Sequence, residues 1–308
     1  MKKTSRTGLY LILIVLCVIG AIAGSFFDLP VSKALYLGDS LPAKIISFST
    51  VIIFFESCIL FLGVLFRQLW VRYNRISRRV IIGLIFSYLF CSTATLGGAK
   101  ILNDPLIAGR YSDLAGTLWG SFIVGSVFCI TVFLFGFFIN GNRYDADKIK
   151  VLIRLILVFT IGFLIAHYLN CMIDRQSYSL LIAEGNLEGY MPWYSLPKGS
   201  RLLMSLSDLI SAHQGSFVSS HALYAVLFII IFPSYSLVFP ALKKFEKHLI
   251  VLAGIISVTV ILIRMLSGNN YLTDISFAAL YSLKFCMSYN GVEKTKKAGK
   301  LASRFHIV

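Results

Sequence analysis

The sequence predicts an all-α fold, a polytopic transmembrane helical bundle of about eight spans, and three observations lead to it. Hydrophobic residues make up 57% of the 308 residues and charged residues only 14%. The mean hydropathy is +0.80, so the chain has too little polar surface to coat a soluble globule. Finally, eight apolar runs approach the ~20 residues that a helix needs to cross a bilayer. These runs are residues 9–27, 45–66, 80–97, 115–139, 151–169, 217–239, 249–266 and 272–289.

The connections between these runs alternate in charge along the chain. Basic residues precede the first span and follow the second, fourth, sixth and eighth, in segments 2–6, 67–79, 143–154, 243–247 and 294–304. The intervening connections, including the long loop 170–216, carry fewer than half as many Lys and Arg residues. The positive-inside rule then places both termini in the cytoplasm and the long loop outside. The net charge of +15 is therefore topological, and no nucleic-acid partner is expected.

The first span has an alternative interpretation. Lys2 and Lys3, the apolar stretch after them and the small residues 21–23 also fit a cleaved secretory signal. Cleavage would leave seven spans without inverting the others. We expect one membrane domain, residues 1–290, followed by a basic cytoplasmic tail, residues 291–308. No His, Cys or carboxylate spacing resembles a metal-ligand set, so no metal or other cofactor is expected.

Three polar patches fall on the predicted outer side. One, residues 216–225, reads SFVSSHALYA and contains Ser219, Ser220 and His221. A helix starting there would direct free N–H groups and the positive end of its dipole at an anion. The alternative interpretation is a capping serine followed by a packed histidine. A further histidine, His167, ends the fifth span beside Tyr168 and is interpreted as an anchor at the lipid boundary.

The other two patches flank this one in the sequence. Residues 263–278, IRMLSGNNYLTDISFA, hold Arg264, then Asn270 after five residues and Asp274 after three more. Residues 170–178, NCMIDRQSY, hold Asn170 and Arg175.

Together these patches resemble the three signatures of the type 2 phosphatidic acid phosphatase superfamily, integral-membrane enzymes that remove phosphate from lipids. The resemblance implies a six-helix core and an outward-facing phosphate site. It implies that Arg264 and Arg175 bind phosphate, together with Asn170, Ser219 and Ser220 at matching positions. It further implies that His221 protonates the departing oxygen and that Asp274 orients the residue at the position of the nucleophile. The expected partner is the headgroup of a lipid phosphate or pyrophosphate.

The chain departs from the family pattern at the nucleophile. Asn270 stands where the family has a histidine that attacks phosphorus. An amide nitrogen has its lone pair delocalised into the carbonyl, so Asn270 offers no basic site. Asn170 and Ser177 also stand where the family has cations. His213 is the one spare histidine of the loop considered as a substitute nucleophile.

Several functions remain open at this stage. The leading hypothesis is a lipid-phosphate phosphatase-like protein with impaired catalysis, in a bacterial inner membrane. The alternatives are a non-catalytic phospholipid-binding or scaffold protein and a small lipid transporter. The scarcity of charges in the first four spans argues against the transporter.

Overall fold

A computed structural model describes residues 3–38, 40–104, 106–107, 114, 117–139, 144–173, 175–195 and 215–305. Every regular element in these ranges is helical. The α-helices are α1 (Lys3–Leu35), α2 (Leu41–Arg72), α3 (Ile76–Leu102), α4 (Leu118–Ile139), α5 (Ala146–Ile173), α6 (Tyr178–Ala183), α7 (Ser220–Ser234), α8 (Glu246–Leu266) and α9 (Leu272–Phe305). Short 3-10 helices cover Leu187–Gly189, Tyr235–Leu237 and Pro240–Phe245.

The long helices coincide with the apolar runs of the sequence. Seven helical segments in the described ranges are long and apolar enough to cross a membrane, which confirms an all-helical architecture typical of an integral membrane protein. The eighth run forms the first half of α9. This helix continues without a break to Phe305, so the expected boundary between membrane domain and basic tail falls inside a single helix.

Helices α2 and α7 form the centre of the bundle. More than half of the most apolar stretch of each helix is buried. Helix α2 packs against α3, α4, α5, α7 and α8, and α7 also packs against α5, α8 and α9. Where α2 meets α7, the rings of Phe54 and Tyr224 stack with centroids 4.1 Å apart. Aromatic stacking of this kind adds to the dispersion energy of the contact, and it fixes α7 in the middle of the molecule.

Small residues bring α3 and α4 close together. A Cβ atom added at Gly125 of α4 would clash with the backbone carbonyl of Ala94 in α3. In lipid the hydrophobic effect does not drive helices together, so close backbone approach through small residues is the usual source of packing energy.

The outer surface of the bundle is apolar, as lipid contact requires. On α8 the exposed residues follow helical spacing, and they include Val251, Leu252, Ile255, Val258 and Leu262. A soluble protein rarely exposes a continuous apolar stripe of this length. Helices α1, α3 and α4 expose similar residues, so the side chains that face away from the core match a hydrocarbon environment.

Backbone hydrogen bonds join several helix ends at one end of the bundle. The amide of Leu37, after α1, donates to the carbonyl of Leu266 at the end of α8 (2.8 Å). The amide of Ser179 in α6 donates to the carbonyl of Gly268 (3.0 Å). Gly268 has φ +67°, and an added Cβ atom would approach the ring of Tyr36 to 2.8 Å. This position therefore requires glycine. All three sequence patches lie at this end of the molecule.

The charge pattern makes a prediction about orientation. Lys244 lies between α7 and α8 at the opposite end of the bundle, whereas Gly185 lies in an exposed turn after α6. We expect green fluorescent protein fused after Lys244 to fluoresce, and alkaline phosphatase inserted after Gly185 to be active outside the cytoplasm. The reverse result in both fusions would place the three patches on the cytoplasmic side.

Candidate functional site

The candidate site begins at the first turn of α7, which Ser219 caps. The Ser219 hydroxyl accepts a hydrogen bond from the Ala222 amide (3.3 Å), as expected for an N-cap serine. The same hydroxyl donates to Oδ1 of Asn270 (3.0 Å). Ser220 and His221 follow as the first two helical residues, and both are partly buried. Their amides belong to the turn in which helical N–H groups have no acceptor within the helix.

Asn270 connects α7 to α8 through both ends of its amide. Its Oδ1 accepts from the Ser219 hydroxyl and from Nε of Arg264 (2.8 Å). Its Nδ2 donates to the carbonyl of Ser216 (2.7 Å). The side chain is buried. Asn270 is thus held by three hydrogen bonds, and in turn it orients the guanidinium of Arg264 in the last turn of α8.

A lysine and a histidine that the sequence analysis did not assign to the site contact each other between α3 and α5. Nζ of Lys100, in the last turn of α3, is 3.4 Å from Nδ1 of His167 in α5. The other ring nitrogen of His167 is 3.7 Å from Sγ of Cys171. His167 is only 3% exposed, so its interpretation as a lipid-boundary anchor is wrong. The sequence signal that could have identified Lys100 is its position in the last turn of a transmembrane helix. The same position also fits a lysine whose ammonium extends into water at the membrane surface.

Two cationic side chains approach His221 from different helices. Arg264 of α8 and Lys100 of α3 are both near enough for their charges to act on the imidazole. Nε2 of His221 is buried, and no described residue is hydrogen-bonded to it. The sequence predicts His221, Ser219 and Arg264 as site residues. In the structure Ser219 and Arg264 are both hydrogen-bonded to the side chain of Asn270, and His221 lies two residues after Ser219.

Arg175 lies in a buried cluster with two carboxylates. Its NH2 donates to Asp28 (2.8 Å) and its NH1 donates to Asp274 (2.9 Å), and all three side chains are fully buried. Further bonds join the guanidinium to the hydroxyls of Thr273 (2.9 Å) and Tyr190 (3.1 Å). The terminal nitrogens that the sequence analysis assigned to phosphate are therefore engaged with protein groups here.

Aromatic rings enclose this arginine. Its guanidinium carbon lies 3.8 Å from the ring centre of Tyr271 and 5.2 Å from that of Tyr190. Burial raises the pKa of both phenols, and at Tyr190 this outweighs the opposing charge of Arg175. Both tyrosines are neutral near pH 7, so among the described residues it is Asp28 and Asp274 that balance the charge of the arginine.

Asp274 has a different environment from the one the resemblance implies. One carboxylate oxygen accepts from the Tyr271 amide (2.8 Å) and the other from Arg175. Asn270 has its hydrogen bonds with Ser219, Arg264 and Ser216 instead. Asp28, from α1, was not among the predicted residues. It accepts from the Thr273 amide (3.0 Å) and from the Thr273 hydroxyl, which ties α1 to the start of α9.

Asn170, in the last turn of α5, is hydrogen-bonded to the segment just before α7. Its Nδ2 donates to the carbonyl of Gly215 (2.7 Å), while its Oδ1 is buried and has no partner in the described part of the chain. Ser216, a residue 2% exposed, lies beside the Asp274 carboxylate. Buried polar atoms in folded proteins normally have partners, and exceptions often mark places where water or a ligand binds. Such atoms among the described residues at this end of the bundle include Oδ1 of Asn170, Nε2 of His221, Nε of Arg175 and the hydroxyl of Tyr271.

This arrangement suits anion binding better than covalent chemistry. Arg264, Lys100 and the first turn of α7 all favour negative charge, whereas the carboxylates nearby are engaged by Arg175. The residue between Arg264 and Ser219 is an amide without nucleophilic character. His213, considered as a substitute nucleophile, lies outside the described residues. Comparison of the chain with models of protein families, with curated proteins and with solved structures finds no match.

Proposed function

We propose that this protein is an integral-membrane, phosphatidic acid phosphatase-like protein that binds the phosphate group of a lipid without hydrolysing it. The observation that supports this proposal most directly is the position of Asn270. It is hydrogen-bonded to both Ser219 and Arg264, and these are two residues that the resemblance assigns to phosphate. The proposed phosphatase-like core has six helices and faces the outer side of a bacterial cytoplasmic membrane, with both termini inside.

The chemistry of the side chains favours binding of a phosphate dianion. Arginine forms paired hydrogen bonds to phosphate oxygens through its planar guanidinium. The amides of Ser220 and His221 lie in the first helical turn, which is a common phosphate-binding element. Nε2 of His221, which has no partner among the described residues, can donate or accept a hydrogen bond from a phosphate oxygen depending on its tautomer.

The same geometry argues against hydrolysis by the family mechanism. That mechanism requires an imidazole that attacks phosphorus and a carboxylate that orients it. Asn270 supplies no such nitrogen, and the Asp274 carboxylate is paired with Arg175. We therefore assign a binding function in which the ligand is held and released unchanged.

Binding to purified protein in nanodiscs tests the proposal. We expect the protein to bind short-chain phosphatidic acid and not phosphatidylcholine of the same chain length. The Arg264→Gln variant should bind phosphatidic acid about 10- to 100-fold more weakly, because a charge-assisted hydrogen bond contributes ~1.5–3 kcal/mol. Isothermal titration calorimetry measures both affinities.

A matched control separates local contacts from general electrostatics. Lys33 is exposed in the last turn of α1, at the same end of the bundle. Lys33→Met removes one positive charge there without touching the site, so its affinity should stay near that of the unmodified protein. Equal binding of phosphatidic acid and phosphatidylcholine, or equal losses in both variants, would contradict the proposed function.

A further inference from the structure

Lys100 has no carboxylate partner in the part of the chain that the structure describes. Its ammonium is 3.4 Å from a ring nitrogen of His167, which must be a neutral acceptor for this contact to be favourable. The ion pairs described at this end of the bundle are those of Arg175 with Asp28 and Asp274. A partly buried ammonium without a countercharge is unfavourable. Among the described residues nothing supplies that countercharge, so this position favours a bound anion.

The direction of the Lys100 side chain indicates where that anion binds. A lysine in the last turn of a helix often stabilises the helix by lying near its final carbonyls. Here the ammonium instead reaches α5, and its charge acts on His221 at the start of α7. The second cation that acts on His221 is Arg264. The charges of two side chains, one on α3 and one on α8, therefore act on the same imidazole.

His167 holds the lysine in this direction. Its ring is stacked nearly parallel to that of Phe163, with centroids 5.7 Å apart and an angle of 8°. Its second nitrogen contacts Cys171 (3.7 Å). These contacts restrict the imidazole on both sides, so the nitrogen that faces Lys100 is fixed relative to α5.

Asn170 stands three residues after His167, on the same face of α5. By the resemblance this position carries a lysine, yet the Asn170 amide donates to the Gly215 carbonyl and so has a structural role. The ammonium of Lys100 approaches this face of α5 from α3. A cation from α3 is therefore present beside the helix face on which Asn170 stands.

We propose that Lys100 contributes the second cation that binds the phosphate group, and that His167 is the residue that positions it. This inference rests on the proposed function and adds two residues, from α3 and α5, to the site. The ligand feature that they recognise is a phosphate group, which a lipid headgroup and free inorganic phosphate share.

The test uses the full-length protein in nanodiscs with two probes, dioctanoyl phosphatidic acid and inorganic phosphate. Lys100→Met keeps the length of the side chain but removes its charge. We expect its affinity for phosphatidic acid to fall by on the order of 10-fold or more. Lys100→Arg should retain most of the affinity, and Lys33→Met should retain all of it. Tighter binding of phosphatidic acid than of inorganic phosphate by the unmodified protein identifies the lipid as the source of the phosphate group. The opposite preference would contradict the lipid ligand and leave Lys100 as a cation for free phosphate.

Thermal unfolding without ligand separates ligand binding from a structural role. If Lys100 binds the ligand, Lys100→Met removes an ammonium that has no countercharge among the described residues, so the ligand-free variant should be at least as stable as the unmodified protein. Its melting temperature should then rise less on addition of phosphatidic acid. A less stable ligand-free variant with unchanged affinity would overturn the inference and assign Lys100 a structural role. Failure of the unmodified protein to bind either probe would overturn the proposed function and this inference together, whereas binding that survives in Lys100→Met overturns the inference alone.

Discussion

Replacing Arg175 with methionine is expected to destabilise the protein more than any other single substitution at the end of the bundle that holds the three patches. Asp28 and Asp274 are both fully buried and both pair with this guanidinium. Its removal leaves two carboxylates without a countercharge in an apolar environment. Breaking a buried ion pair by removing one partner typically costs about 3–5 kcal/mol, so we expect a loss of at least this size in the free energy of unfolding.

Denaturant or thermal unfolding in detergent measures this effect. Arg154, within α5, has no contact with the cluster among the described residues, so Arg154→Met should change the free energy of unfolding by less than about 0.5 kcal/mol. Arg175→Lys should recover only part of the stability, because a single ammonium lacks the planar geometry that bridges two carboxylates. An Arg175→Met variant as stable as Arg154→Met would show that the cluster does not hold the fold together.

The helices could be predicted from the sequence because the signal for each one is local. An apolar run of about 20 residues is long enough to cross a bilayer as a helix. The runs 45–66 and 249–266 accordingly lie inside α2 and α8. The cap at Ser219 could be predicted for the same reason, since a capping serine bonds to an amide three residues later.

The pairing of Arg175 could not be predicted, because its partners are distant in the sequence. Asp28 lies 147 residues away and Asp274 lies 99 residues away. An arginine that binds phosphate and an arginine that balances two carboxylates look identical in a sequence. Only the position of α1 beside α9 distinguishes them. Lys100 was missed for the converse reason, since nothing near it in the sequence indicates that its ammonium lies beside His167.

The buried cluster also supports the candidate site mechanically. Asp28 and Arg175 fix Thr273 and Asp274 at the start of α9. The backbone carbonyl of Asp274 in turn accepts from the amide of Ser219 (3.4 Å). Ser219, the capping residue of α7, is therefore connected to α1 by two hydrogen bonds in series, one to Asp274 and one from the adjacent Thr273 to Asp28. A change in the cluster should alter the orientation of the first turn of α7, although no cluster side chain needs to touch the ligand.

The second large effect that we expect concerns catalysis. The unmodified chain should release no measurable phosphate from phosphatidic acid, because Asn270 cannot form a phospho-enzyme. Removal of a covalent nucleophile elsewhere lowers the rate by on the order of 10⁶-fold. In Asn270→His, an imidazole at this position can donate one ring N–H to the Ser216 carbonyl that now accepts from Asn270. Its other nitrogen then carries a lone pair, next to Arg264.

We expect Asn270→His to give partial phosphate release, detected with radiolabelled phosphatidic acid. Adding Asn170→Lys should increase the rate by supplying a further cation, and Asn170→Lys alone should remain inactive because it adds no nucleophile. His221→Ala in the Asn270→His background should lower the rate again, since the departing oxygen then lacks its proton donor. Rapid phosphate release by the unmodified chain that persists in His213→Ala would show that the argument from Asn270 is wrong. It would also show that a nucleophile outside this position performs the reaction.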